Sequence, residues 1–401
     1  LQLINSTGTT NYSITLSSTT QGNIVQMDIN SSASGSFQLQ NAADFSNPGV
    51  AGGYVFDFSG VSAASNPESI IGRFTADGNG GVTTGVFDSN EAGGTPSGQQ
   101  AFPAGGFYQL DTNGNGTNFG RGTANIAGHN FAFYVVDSTR IKLLGTDSTE
   151  AFSGEAFAQQ NMSYTAASLN GGYAFLIGGA HSGGPITTAG RFNADGAGNL
   201  TSIDLDENDS GVYTPIPSQG GTVSGTYTVD ANGLGGGAAT WTDTKVGTFS
   251  FIFYLITPSS AVFQETDSSI TSDGTLLAQT SSPVTLDSLA GPFAFGWSGA
   301  DGNGEEDFVG QMKLTSSTGN NTTGIMNLNE FGTANQYFNI QLNGPLTITP
   351  PGTGPNTLAV TAVTGLSTTF NFTAYPVDSN TVFLVGVDGV RVVSGTAVRQ
   401  Q

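Results

Sequence analysis

The side chains best suited to chemistry in this sequence are carboxylates. Asp204-Leu-Asp-Glu207 and Glu305-Glu-Asp307 each crowd three acids into one short stretch. Glycoside hydrolysis uses two carboxyl groups held at a fixed separation across a cleft, so either cluster is a candidate acid–base pair. The two clusters fall at different places in the repeat described below, however, and solvated turns account for them better. Asp77-Gly-Asn-Gly80, Asp111-Thr-Asn-Gly-Asn115 and Asp301-Gly-Asn-Gly-Glu305 open like calcium loops, with oxygen ligands at alternate positions. None continues to the glutamate that closes such a loop. The matching turns read Asp195-Gly-Ala-Gly198 and Ser316-Ser-Thr-Gly319, and ligands that decay while the turn persists indicate hairpin chemistry. The two histidines, His129 and His181, occupy non-equivalent positions, and the chain has no Gly-x-Ser-x-Gly elbow to present a nucleophile. Lys142 is the one lysine in a clear strand that an isopeptide crosslink to an asparagine would use, but no other repeat matches it. Trp241 and Trp297 are candidates for stacking on sugars, although their unmatched positions favour core packing. No catalytic, cofactor-binding or metal-ligating residue is therefore assigned, no cofactor is expected, and the chain is read as a non-enzyme.

What must position these side chains is an internal repeat. Val50-Ala-Gly-Gly-Tyr-Val-Phe56 returns as Leu169-Asn-Gly-Gly-Tyr-Ala-Phe175 and as Leu289-Ala-Gly-Pro-Phe-Ala-Phe295, with Gly52, Gly171 and Gly291 in register. Gly72-Arg-Phe-Thr-Ala-Asp-Gly78 returns as Gly190-Arg-Phe-Asn-Ala-Asp-Gly196 and more loosely at Gly310. Asn90, Asn208 and Asn329 recur in step, as do Asp28, Asp147, Asp267 and Asp388. These sets suggest either a binding site repeated in every unit or, more simply, Asx side chains bonding their own backbone at strand ends. Tyr12-Ser-Ile-Thr-Leu16 and Asp28 precede their counterparts in the next unit by the same interval, so residues 1–44 are the C-terminal part of an incomplete repeat. Three whole units follow, at 45–161, 162–283 and 284–401, each about 119 residues.

Within each unit the pattern has period two, as in Tyr54, Phe56 and Phe58 or Phe131, Phe133 and Val135. Asp-Gly and Asn-Gly dipeptides punctuate the strands, for example Asp77-Gly78, Asn113-Gly114, Asp195-Gly196 and Asp388-Gly389. Such dipeptides suit the positive-φ turns of antiparallel hairpins. Eight strands are expected in unit 1: Tyr54–Ser59, Ile70–Ala76, Val82–Asp88, Gly106–Asp111, Phe119–Ala127, Phe131–Asp137, Ile141–Gly145 and Gly154–Gln159. The fold class is all-β, with tandem eight-stranded up-and-down barrels preferred over a β-sandwich. Short boundaries without Pro-rich spacers predict a stiff rod of units. Residues 1–44, with only part of a barrel, would present unpaired edges open to strand addition.

Composition sets the habitat. Nine basic residues against 30 acidic ones give a net charge of -21, which argues against nucleic acid or an anionic membrane as partners. No stretch of ~18 apolar residues is present to span a membrane as a helix. The chain opens on Leu1-Gln-Leu-Ile4 without an initiator Met, as a processed or partial chain would. Ten Asn-x-Ser/Thr sequons, among them Asn11, Asn208, Asn321 and Asn371, suggest surface exposure. The blocks Leu169–Phe175 and Arg191–Leu200 resemble the Gly-rich tandem units of uncharacterised secreted bacterial surface proteins. That resemblance covers all three units, is weakest in the third, and implies an extracellular, cell-associated location. The function expected is a non-enzymatic structural protein of the cell surface, a filament or appendage subunit whose partner is itself, through residues 1–44. An adhesin that binds surface glycans is the alternative, and a secreted hydrolase using the repeat-2 carboxylates is the second.

Overall fold

The computed structural model describes all residues except 6–7, 113–118, 280–283, 318, 332–334, 349–355 and 363–367. Asn113-Gly114 and most of the Asp111–Asn115 loop therefore lie outside the described residues. Four strands, β1 (Gln2–Asn5), β2 (Gly8–Leu16), β3 (Gln21–Gln26) and β4 (Ser34–Gln38), form an open antiparallel sheet in sequence order. Unit 1 then contributes β5 (Gly52–Val61), β6 (Pro67–Ala76), β7 (Val82–Glu91), β8 (Ser97–Ala101), β9 (Phe107–Leu110), β10 (Arg121–Ile126), β11 (His129–Asp137), β12 (Arg140–Gly145) and β13 (Ala151–Ala158). The meander closes where β13 pairs with β5. On its other side, a bridge between Gly81 and Phe107 joins β7 to β9, leaving β8 as an outlying hairpin strand.

Units 2 and 3 repeat this plan with continuous ladders. Unit 2 holds β14 (Asn170–His181), β15 (Gly184–Asp195), β16 (Asn199–Asp209), β17 (Val212–Ile216), β18 (Val223–Val229), β19 (Gly236–Asp243), β20 (Gly247–Thr257), β21 (Ser260–Glu265) and β22 (Ile270–Ala278). Unit 3 holds β23 (Gly291–Asp301), β24 (Glu305–Leu314), β25 (Thr322–Glu330), β26 (Asn335–Gly344), β27 (Leu346–Thr347), β28 (Asn356–Ala362), β29 (Thr369–Pro376), β30 (Thr381–Gly386) and β31 (Arg391–Arg399). The β16–β18 and β26–β28 pairings close each into an eight-stranded antiparallel barrel. The architecture is thus the up-and-down barrel and not the sandwich. A ninth strand per unit, β8 in unit 1, escaped the sequence pattern because Ser97-Gly-Gln-Gln-Ala101 carries no apolar alternation.

Each barrel is filled by its own aromatic core: Phe56, Phe58 and Phe131 in unit 1, Phe175, Trp241 and Phe263 in unit 2, Phe295, Trp297 and Phe372 in unit 3. The matched glycines on the second strand of each unit make room for these rings. A Cβ at Gly72, Gly190 or Gly310 would meet the ring of Phe56, Phe175 or Phe295 at 2.8, 2.7 and 2.5 Å respectively. The one α-helix among the described residues, α1 (Leu286–Leu289), is a single turn capped by Thr285, and none is long and apolar enough to cross a membrane.

The units do not extend as the expected stiff rod. Four equivalent glutamines mark how the units follow one another. Gln40 donates to Val135 O, Gln159 to Leu255 O, Gln279 to Pro376 O and Gln400 to Leu16 O, each at 2.7 Å. The last contact carries the end of unit 3 back onto the N-terminal half-unit, and the Gln401 amide donates to Ser17 O beside it. The units therefore close a circuit: half-unit, 1, 2, 3, half-unit.

Candidate functional site

The recurring Asn and Asp residues meet each other at the joints between units. β7 ends Asp88-Ser-Asn90, and alternation along a strand puts Asp88 and Asn90 on one face of the sheet. That face turns away from the barrel core toward unit 2. The Asn90 side-chain amide donates to Glu265 O, Asp267 O and Ile270 O at 2.9, 3.0 and 2.7 Å. Asn208 repeats this on Gly386 O, Asp388 O and Arg391 O of unit 3 at 2.8, 3.3 and 2.9 Å. Asn329 repeats it on Gln26 O, Asp28 O and Ser31 O of the half-unit at 2.8, 3.3 and 3.0 Å. Three carbonyls of a strand-connecting turn thus converge on one amide nitrogen and share its two N–H donors in a buried place.

The Asp of each receiving turn shapes that turn. Asp388 accepts from Asn371 N and Nδ2 at 3.0 and 2.7 Å, and Asp147 from Asn130 N and Nδ2 at 2.9 and 2.8 Å. Asp28 does the same for Asn11, whereas Asp267 caps Ser269. The expectation of local Asx bonding holds for Asp267, whereas Asp28, Asp147 and Asp388 each hold an asparagine 17 residues earlier in the chain. For Asn90, Asn208 and Asn329 it is incomplete, because their NH₂ groups reach into the next unit.

The residue two before each Asn completes the joint. Tyr254 donates to Asp88 Oδ2 and Tyr375 to Asp206 Oδ2, both at 2.5 Å. At the third joint the polar pair is Asn327 Nδ2 to Ser13 Oγ at 2.5 Å, with Ser32 bonded to Asp307. Small apolar clusters seal each joint: Val55, Ile71, Tyr254 and Val262 between units 1 and 2; Ala174, Ala189, Tyr375 and Phe383 between units 2 and 3; Val25, Met27 and Val309 at the half-unit. Asp273 of unit 2, pushed by burial to about 7, accepts from Ser59 of unit 1. Burial, and secondarily the charge of Asp273, raises Asp57 well above the carboxylate range.

The carboxylate clusters seen in the sequence lie on strands β16 and β24 and not in turns, with Asp206 and Asp307 at the joints and Glu306 bonded within its own unit. Asp206, 1% exposed, accepts from Tyr213 and Tyr375, and Glu306 takes two bonds from Arg391 at 2.9 and 3.2 Å. Burial lifts Glu207 to about 7 and Asp204 to about 6, each helped by a neighbouring aspartate. The calcium-like loops spend their carboxylates on their own turns. Asp77 Oδ1 accepts Asn79 N and Gly81 N, Asp195 Oδ1 accepts Ala197 N and Asn199 N, and Asp301 Oδ1 accepts Asn303 N and Gly304 N. Among the described residues, two groups have ligand atoms close enough for a metal, His129–Asp147–Glu150 and Asp301–Glu306–Glu330, and in both the carboxylates already accept internal donors.

His181 lies near Ser210 and Asp209, but both approach the same nitrogen. Nε2 contacts Asp209 Oδ1 at 2.6 Å and Ser210 Oγ at 3.4 Å, while Nδ1 accepts Gly183 N at 2.9 Å. A proton relay needs the acid on one nitrogen and the hydroxyl on the other. Lys142 pairs with Glu155 at 2.5 Å and Ser36 at 3.1 Å. Trp241 and Trp297 are both 1% exposed inside their barrels and offer no face to a sugar. Of the sequons, Asn208 and Asn321 are buried and bonded internally.

No model of a known protein family matches the chain, and no curated protein matches it. Among solved structures, a mutant transferrin binding protein B from Haemophilus parasuis Hp5 aligns over 98% of this chain and 86% of that one, at 9% identity and a TM-score of 0.25. Transferrin binding protein B from serogroup B Neisseria meningitidis aligns over 95% and 85%, at 10% identity and a TM-score of 0.25. Kievitone hydratase from Nectria haematococca aligns over 59% of this chain and 92% of its own, at 6% identity and a TM-score of 0.21. Likenesses this weak have no bearing on the role of this chain.

Proposed function

We propose that the chain is a non-enzymatic structural protein of the cell exterior that assembles with further β units through residues 1–44. The observation that carries this reading is the open sheet β1–β4. Both of its edge strands have a partner on one side only among the described residues, and Leu3, Ile4, Ile14 and Leu16 stand exposed on it. An edge of this kind is a template for strand addition. The acids, histidines and Lys142 serve turns and joints, which suits a scaffold. The net charge of -21 keeps such a scaffold soluble, and the scarcity of Lys and Arg limits cleavage by trypsin-like proteases.

Electron microscopy and light scattering of the purified chain across concentration test this reading. Assemblies that grow with concentration are expected. They should disappear in Ile4→Lys/Ile14→Lys while the barrel circular dichroism and melting stay intact. A chain that stays monodisperse at every concentration contradicts self-assembly.

A further inference from the structure

Three of the four joints in the circuit are complete, and the one between the half-unit and unit 1 is half built. Gln40 and the Asn41 amide dock on Val135 O and Val136 O, just as Gln159 and the Gln160 amide dock on Leu255 O and Ile256 O. The linker side of that joint is therefore in place. The strand side is not, because residues 1–44 correspond only to β10–β13 and supply no counterpart of Asp88 and Asn90.

Unit 1 nevertheless carries the whole receiving surface. The counterparts of the three converging carbonyls are Gly145 O, Asp147 O and Glu150 O, and among the described residues no asparagine side chain donates to them. Their turn is already shaped, since Asp147 holds Asn130 just as Asp388 holds Asn371. The tyrosine of the joint is present as Tyr134, 42% exposed where Tyr254 and Tyr375 are 1% and 2%. Beside it Leu144 is 55% exposed, where its equivalents Gln264, Val385 and Val25 are at most 1%. A surface that the preceding unit buries in units 2 and 3 and in the half-unit stands open here, and it continues from the contacts that Gln40 and Asn41 have already made.

We propose that this face of unit 1 and the free edge of β4 together form one docking surface for a β block of the chain's own kind, equivalent to residues 45–110. The inference rests on the reading that residues 1–44 are completed by added strands, and it names what adds them. β4 is the equivalent of β13, whose other neighbour is β5, so the first strand of the block pairs with β4. The Asp-x-Asn at the end of its third strand then meets Tyr134 through the Asp. The Asn enters the Gly145, Asp147 and Glu150 carbonyls.

The chain has no cysteine, so single-cysteine probes report cleanly. Full-length chains bearing Leu144→Cys or Ile14→Cys are labelled with a maleimide, with and without an added polypeptide of residues 45–112. Saturating block should slow labelling at both positions by about tenfold or more. Asn90→Ala in the block should restore labelling at Leu144→Cys and leave Ile14→Cys slowed. Protection of Ile14→Cys alone overturns the joint and leaves strand completion standing, whereas protection of neither overturns both. To guard against a block that does not fold alone, the same block is fused after Gln401 through a copy of residues 159–169. Formed strands by circular dichroism with unslowed labelling at Leu144→Cys then overturn the proposal.

Discussion

The outer face of unit 1 and the outer face of unit 3 are built from the same strands in the same register, yet one is open and the other closed. Tyr134 and Leu144 stand in solvent while Tyr375 and Val385 are buried against unit 2. The interior shows the same contrast. Ile14 and Leu16 of the half-unit are exposed, and their counterparts Phe133 and Val135 are 2% and 0% exposed inside a closed barrel. Burial of a strand residue is thus set by the presence of a neighbour and not by the strand itself. Joints of this type hold through a few buried polar contacts, which are costly to leave unmade.

The largest difference should come with pH, because buried carboxyls concentrate in the closed region. Burial raises Asp273 to about 7, Glu207 to about 7, Glu265 to about 8 and Glu305 to about 7. None of these lies in residues 1–44. From about pH 4 upward the unfolded chain has released these protons and the folded chain still binds them, so stability falls as pH rises through that window to about 8. A melting temperature higher at pH 5 than at pH 8 is expected by calorimetry. Below about pH 4 the slope should reverse, since the Asn199 side chain and the backbone amides of Asn199 and Ala197 hold Asp195 at about 2.

Next in size, Asn208→Ala removes the donor from three carbonyls at the joint of units 2 and 3 and should cost about 3 kcal/mol in denaturant unfolding. Asn208→Asp should cost more at neutral pH, as it turns a carboxylate toward three carbonyl oxygens. Val385→Ser should cost about 2 kcal/mol, whereas its open counterpart Leu144→Ser should stay within about 0.5 kcal/mol. Equal costs would remove the distinction between the two faces. Smallest, Tyr375→Phe should cost about 1–2 kcal/mol through its lost bond to Asp206, and Tyr134→Phe should leave unfolding unchanged.

The barrels were legible in the sequence because period-two apolar residues and Asp-Gly turns are local signals. Tyr54, Phe56 and Phe58 point to one face whatever surrounds them. The joints were not legible, because their partners are remote: Asn208 bonds Gly386 across 178 residues. Its recurrence could be seen, but a recurring Asn at a strand end fits a local turn equally well. The overlooked clue was the Asp-x-Asn spacing, which sets two hydrogen-bonding side chains side by side on the face opposite the core. Asp206 and Asp307 look like solvated turn acids for a similar reason, since nothing local announces that a neighbouring unit bonds them. Short linkers showed that units pack closely without showing that the last returns to the first.

That return is the central claim, and crosslinking tests it most directly. With Leu16→Cys and Gln400→Cys as the only thiols, a short bis-maleimide added to dilute protein should form an intramolecular link, because Gln400 Nε2 bonds Leu16 O at 2.7 Å. Monomer with compact electrophoretic mobility is the predicted product. Two unlinked thiols, or links formed only between chains as concentration rises, would contradict the closed circuit and restore the stiff rod.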